Sequence, residues 1–151
     1  MNAIKYLLTT VFAAAALSTI AAAGGSAWMT DIDSALAKGK KEGKPVMVEF
    51  TGLAWCGPCQ MMEKAVFSKK SFTDAASKDY ILVQIDVPMK KSALRKKNAP
   101  LMKKYRVNGV PTVILFGEDG KEFDRFSAGE FPNMDSFLGK LARSLERKDM
   151  D

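Results

Sequence analysis

The sequence predicts an α/β domain in which a central mixed sheet lies between layers of helices. Three observations carry that expectation. Segments with helical spacing of apolar residues alternate with short runs rich in Val, Ile and Phe, the order that builds a sheet flanked by helices. The last two runs are separated only by the turn signal Gly117-Glu118-Asp119-Gly120, so they pair as an antiparallel hairpin at the sheet's edge. The chain's 151 residues, 47% of them hydrophobic, suit one domain able to bury a core of its own.

Taken in order, the chain opens on an address rather than on structure. Lys5 is the one charge among residues 1–30, residues 6–16 are a nearly unbroken apolar run, and Ala21-Ala22-Ala23 offers a small-residue cleavage site before Gly24. Residues 1–23 therefore read as a cleaved signal peptide and residues 24–151 as the mature domain. A retained membrane anchor is the competing reading of the apolar run. No cysteine lies between that run and Trp55, which excludes a lipoprotein anchor at the cleavage site. Export puts the domain outside the cytoplasmic membrane, periplasmic or secreted, where disulfides persist.

Trp28 to Gly43 reads as the first helix. Thr30 or Asp31 caps it, Ile32, Ala35 and Leu36 share a face, and Gly43 and Pro45 stop it. Val46–Phe50 is a strand buried on both faces, and Glu49 is its one charge. Burying a lone carboxylate is costly without a task or a partner. Glu49 is thus either a proton shuttle with a raised pKa or a solvated residue at the strand's end. The helix after residue 56 runs to about Val66. Ser68 caps a further segment with Phe72, Ala75 and Ala76 inward, and Tyr80–Asp86 is a second buried strand.

Met89 to Lys104 is the basic stretch, supplying much of the net charge of +6. It reads as a solvated pair of helices interrupted at Pro100, with Leu94, Leu101, Met102 and Tyr105 turned inward. The alternative is a docking surface for an acidic partner or an anionic membrane. Nucleic acid is not an expected partner, because export separates the two and no recognition motif accompanies the charge. Pro111 opens the strand Thr112–Phe116, a position where a sheet tolerates proline. Lys121–Phe126 is the hairpin's return strand. Asn133 caps a last helix on which Met134, Phe137, Leu138, Leu141, Ala142 and Leu145 form an apolar stripe.

The chemistry concentrates in Trp55-Cys56-Gly57-Pro58-Cys59. These are the only two cysteines, and the sequence has no histidine. One Cys-x-x-Cys cannot complete a four-ligand zinc site. As a structural staple so short a loop gains little, about 2 kcal/mol against roughly 3 for a fifteen-residue loop. A pair that opens and closes remains. Strand before it and helix formers after it place Cys56 just ahead of a first helical turn, where Pro58 is tolerated because its missing N–H would be unbonded. Free N–H groups and the helix dipole favour a thiolate there. Cys56 is then the attacking thiol and Cys59, one turn further in, the resolving one.

This motif after a hydrophobic strand resembles thioredoxin. Tyr105-Arg106-Val107-Asn108-Gly109-Val110-Pro111-Thr112 resembles that family's segment leading to its cis-proline. More narrowly, Phe50-Thr51-Gly52, Trp55-Cys56 and Phe67-Ser68 resemble the secreted thioredoxin-like proteins and the soluble domain of membrane electron-relay reductases. The likeness runs from about Trp28 to Arg147 and implies the thioredoxin fold. It implies a cis Val110–Pro111 bond set against the cysteines, and a substrate groove formed by Trp55, Gly57, Pro58, Val110 and Pro111, bordered by Ser127-Ala128-Gly129. It also puts Glu49 in the place of a buried acid beneath Cys59. The family's lysine partner for that acid is Leu82 here, and its kink-forming helix proline is Lys64.

The function so implied is an extracytoplasmic thiol–disulfide oxidoreductase that reduces protein disulfides through Cys56 and Cys59, with Glu49 accepting the Cys59 proton. Gly57-Pro58 resembles the reducing members, whereas strong oxidants carry Pro-His between the cysteines. The expected cofactor is none beyond the redox-active disulfide, and no metal. The expected partners are disulfide-containing proteins and a membrane electron-relay reductase that recharges the pair, with the chain itself monomeric. A disulfide oxidase or isomerase is the alternative within enzymes. A thiol-bearing metal carrier or binding module, with Met61 and Met62 as soft donors, is the alternative outside them.

Overall fold

In the computed structural model, which describes residues 27–150, the strands β1 (Trp28–Met29), β2 (Val46–Thr51), β3 (Ile81–Asp86), β4 (Thr112–Phe116) and β5 (Glu122–Ser127) form one sheet in the order β1-β3-β2-β4-β5. The signal-peptide reading of residues 1–23 lies outside the described residues. Strand β2 (Val46–Thr51) is central and buried along its whole length. It runs parallel to β3 (Ile81–Asp86) and antiparallel to β4 (Thr112–Phe116). The β4–β5 hairpin, with β5 spanning Glu122–Ser127, supplies the antiparallel edge. The mixed sheet flanked by helices is thus as the sequence implies.

Strand alternation divides the core in two. Met47, Leu82, Val113 and Leu115 point to one face, where they join Phe67, Phe72 and Phe137 beneath helices α2 (Gly57–Met62), α3 (Lys70–Ala76) and α5 (Met134–Met150). The rings of Phe67 and Phe137 meet edge-on at 5.1 Å. Val46, Val48, Phe50, Val83, Ile85 and Ile114 point to the other face, beneath α1 (Ile32–Glu42) and α4 (Ala93–Lys104). Each fully buried side chain of this size contributes roughly 1.5–3 kcal/mol, so both layers hold the sheet firmly.

Several expectations need correction. Trp28-Met29 is not the start of a helix but a short strand, β1, paired in parallel with Leu82 and Val83. Trp28 is drawn there by the aromatic core, its ring 5.7 Å from Phe67 and 6.1 Å from Phe72. The helix begins after Asp31, whose carboxylate accepts the Ser34 N–H at 2.9 Å, and Gly43 closes it at φ 62°. Ser68 does not cap α3. It ends a π-helical stretch, Glu63–Phe67, that continues α2, and Lys69 precedes α3 with no side-chain cap. Ala75 is only half-buried.

The basic segment is one helix, with Pro100 inside it, rather than an interrupted pair. Leu94 is 44% exposed instead of inward, while Asn98 takes the buried place and donates to the Asp86 carbonyl at 2.8 Å. On α5 the stripe holds at Phe137 and Leu141, but Ala142 is exposed and Ser144 is buried in its stead. The Ser144 hydroxyl donates to Asp124, so a polar partner on β5 draws that position inward.

Candidate active site

The site begins where the central strand ends. Val87 N–H donates to the Thr51 carbonyl at 2.9 Å and Leu53 N–H to the Asp86 carboxylate at 3.0 Å, so the tips of β2 and β3 fix the loop between β2 and α2. The Gly52 carbonyl then accepts both Trp55 N–H and Cys56 N–H, at 3.1 and 2.8 Å. A side chain at Gly52 would meet the Trp55 ring at 2.5 Å, so glycine is required for the ring to lie over the loop. The indole N–H is anchored on the Val87 carbonyl at 2.8 Å, and the ring remains 44% exposed. Trp55 is therefore held as a rim of the site and not as core.

Cys56 is the N-cap of α2 and is joined to Cys59 in a disulfide, Cα to Cα 5.2 Å. Cys59 N–H donates to Cys56 Sγ at 3.2 Å. That bond uses one of the unpaired donors of the helix's first turn, the kind of donor that stabilises sulfur as a thiolate once the disulfide opens. Cys56 is 7% exposed and Cys59 is fully buried. Pro58 occupies the first turn as expected, and the exposed Gly57 has nothing within 4 Å of where a side chain would stand. Across the site, the Val110 carbonyl oxygen lies 3.7 Å from Cys56 Sγ, and the Val110–Pro111 peptide bond is cis. Pro111 is buried and its carbonyl accepts Ala128 N–H at 3.2 Å. Thus Ser127-Ala128-Gly129, partly a 3-10 turn here, closes the far side.

Glu49 is wholly buried, which excludes the solvated reading. It lies on the α2 side of the sheet, but its hydrogen bond goes to Gln84 rather than to Cys59. Gln84 Nε2 donates at 2.9 Å to Glu49 Oε2 and at 2.9 Å to Glu63 Oε2. Burial, together with the nearby Glu63 charge, pushes the Glu49 carboxyl up to about 8, against the opposing pull of the Gln84 bond. Its Oε1 and the Thr51 hydroxyl, which pulls the carboxyl in the same direction as Gln84, are buried with no hydrogen bond of good geometry among the described residues. Gln84 and Glu63 are the residues that sequence reasoning missed. Gln84 is the one polar side chain within Ile81–Ile85, and the parallel register sets it opposite Glu49. Glu63 lies four residues beyond Cys59, one helical turn on. Among the described residues, no group of three or more His, Cys, Asp or Glu side chains is placed to hold a metal.

Comparison with known proteins places this geometry. The model of the thioredoxin-like family matches residues 27–117. Disulfide bond reductase DsbH of Chlamydia pneumoniae is 31% identical over 94 residues, covering 60% of this chain and 57% of that protein. Thiol:disulfide interchange protein DsbD of Pectobacterium atrosepticum is 33% identical over 115 residues, covering 76% of this chain and 18% of that protein. The chain thus spans little more than half of one relative and less than a fifth of the other. Among solved structures, a DsbH oxidoreductase superposes with a TM-score of 0.69 at 26% identity, covering 95% of both chains.

Proposed function

The chain belongs to the thioredoxin-like family, with the thioredoxin fold and a redox-active cysteine pair, and on that footing we propose that it is an extracytoplasmic thiol–disulfide oxidoreductase that reduces protein disulfides. The observation that carries the reading is the asymmetry of the pair: Cys56 Sγ at the mouth of α2, held by Cys59 N–H, with Cys59 fully buried behind it.

In the reduced protein the Cys56 thiolate attacks a substrate disulfide, forms a mixed disulfide and releases the first substrate thiolate. The Cys59 thiol gives its proton to Glu49, and its sulfur displaces the second substrate thiolate from Cys56. Two electrons have passed to the substrate, and the protein is left with the Cys56–Cys59 disulfide. Glu49 suits the role because a carboxyl with a pKa of about 8 both takes and returns a proton near neutrality. The groove bounded by Trp55, Gly57, Pro58, Val110 and Pro111 receives the substrate, whose extended backbone pairs along Val110.

Residues 1–23 act as a cleaved signal peptide that delivers the domain to the periplasm or beyond. A membrane electron-relay reductase there returns the pair to its dithiol form. The relatives named disulfide bond reductase and thiol:disulfide interchange protein support the disulfide-reducing chemistry. The test is insulin disulfide reduction driven by dithiothreitol, with wild type and Cys56→Ser side by side. Wild type accelerates insulin precipitation and the variant does not; equal rates would remove the function. Equilibration against a glutathione buffer then fixes direction. The reducing role predicts a potential near −270 mV, and one above roughly −150 mV would reassign the protein as an oxidant.

A further inference from the structure

Residues 87–104 hold seven lysines and arginines and no acid. The fold neutralises only part of that charge. Lys97 and Lys104, seven apart and so on one side of α4, face α1 and approach Asp31 and Asp33 at 3.9 and 3.3 Å. Arg95 is spent on the Pro88 carbonyl at 2.7 Å. Lys90, Lys91 and Lys96 are exposed and form no ion pair among the described residues.

Apolar surface lies among these cations. Met89 is 61% and Leu94 44% exposed, two of the five exposed large apolar side chains among the described residues. A shallow trough of about 430 Å³ lies on the same segment, lined by Lys91, Ser92, Arg95, Lys96, Ala99 and Pro100. A third exposed apolar side chain, Trp55, is hydrogen-bonded to Val87, two residues before Met89, or at most about 7 Å of chain. The patch and the redox site therefore share one rim.

We propose that the Met89–Pro100 face docks an acidic, leucine- or phenylalanine-bearing segment of the partner protein whose disulfide reaches Cys56. The inference rests on Cys56 as the attacking thiol. Unpaired lysines on both flanks of an apolar trough complement carboxylates on both flanks of an apolar side chain, and they raise the rate of encounter. A lipid bilayer is the poorer occupant, because a flat surface seated on a patch that adjoins Trp55 would also cover the mouth of the site.

The test uses the purified protein and two fluorescent cysteine-free peptides, one glutamate-rich with a leucine and its twin with lysine for each glutamate. Anisotropy should show about tenfold tighter binding of the acidic peptide at low salt, shrinking as salt rises. The triple variant Lys90→Glu, Lys91→Glu, Lys96→Glu should bring the two peptides to parity, with its reaction toward dithiodipyridine, a small neutral disulfide, unchanged. Parity in wild type, or a preference that survives the triple variant, overturns the docking surface. Parity with both peptides, together with retention on phosphatidylglycerol vesicles that the triple variant loses, overturns it in favour of a membrane. Peptide binding does not pass through the thiols, so wild type inert toward dithiodipyridine would count against the oxidoreductase reading alone.

Discussion

Glu49 on β2 and Asp124 on β5 project from the same face of the sheet, as the registers Glu49 to Val113 and Leu115 to Asp124 require. Their surroundings are opposite. Asp124 meets Lys140 and Arg147, each at 2.7 Å, and the Ser144 hydroxyl. Burial alone would raise its carboxyl, but the Lys140 and Ser144 hydrogen bonds outweigh that and hold it below the usual aspartate range. Glu49 has one neutral amide and a second carboxylate for company, and its carboxyl rises to about 8. Depth accounts for part of the difference, since Glu49 is wholly buried and Asp124 only partly so. The elements packed over them supply the rest: α5 brings cations to Asp124, whereas the π-helical stretch that continues α2 brings Glu63 to Glu49. One carboxyl keeps its charge and fastens a helix; the other keeps a proton that it can exchange.

The contrast breaks first, and by the largest margin, on the pH dependence of stability. The folded protein holds a proton on Glu49 that the unfolded chain loses above about pH 4.5, so folding binds a proton between about 4.5 and about 8. Stability from this group is fully present below that window and is lost as pH rises through it, on the order of 5 kcal/mol in all. Glu49→Gln keeps the shape and does not titrate. Urea unfolding of the disulfide forms should therefore show the variant gaining on wild type as pH rises from 4.5 to 8. A constant gap would mean that Glu49 is not held protonated.

Asp124→Asn should act with the opposite sign. It removes a charge that two cations and a hydroxyl engage, costing about 2–3 kcal/mol at pH 7. Because the folded-state value of Asp124 is depressed, its contribution is present above the ordinary aspartate value and is lost as pH falls through the lowered one. The deficit of the variant should therefore close in acid. A deficit independent of pH would assign the effect to packing.

The smallest effect sharpens the contrast at Gln84, a positioning residue. Gln84→Leu removes the donor that favours ionised Glu49, so the carboxyl should rise further. The acid limb of the pH–rate profile for resolving a mixed disulfide, which the proton acceptor sets, should move up by about one pH unit. Gln84→Asn, with a shorter amide, tests whether reach matters, and Gln84→Glu should shift the limb furthest. An unmoved limb in Gln84→Leu would confine Gln84 to packing.

Much of this was legible in the residues. Buried strands announced themselves as β-branched runs, α2 by its proline in the first turn, and the site by its two cysteines in a chain without histidine. What escaped notice did so for physical reasons. Trp28-Met29 is too short to show any period, and only the aromatic cluster it joins makes it a strand. Pro100 looks like a break, yet a helix already packed along the sheet accommodates one missing N–H. Gln84 became visible only when the parallel register set it against Glu49, since a lone amide in an apolar run carries no signal until its partner is known. Leu94 and Ala142 have helical spacing on their side but lie on faces that no described residue covers.

The central claim is that the helix mouth divides the labour of two sulfurs, Cys56 exposed enough to attack and Cys59 shut behind it. Timed iodoacetamide labelling of the reduced protein, mapped by peptide mass across a pH series, measures that division directly. The account predicts alkylation at Cys56 with a midpoint below the free-thiol value of about 8.5, and Cys59 left unlabelled until the protein unfolds. Labelling at Cys59 first, or at both sulfurs with one ordinary midpoint, would contradict it.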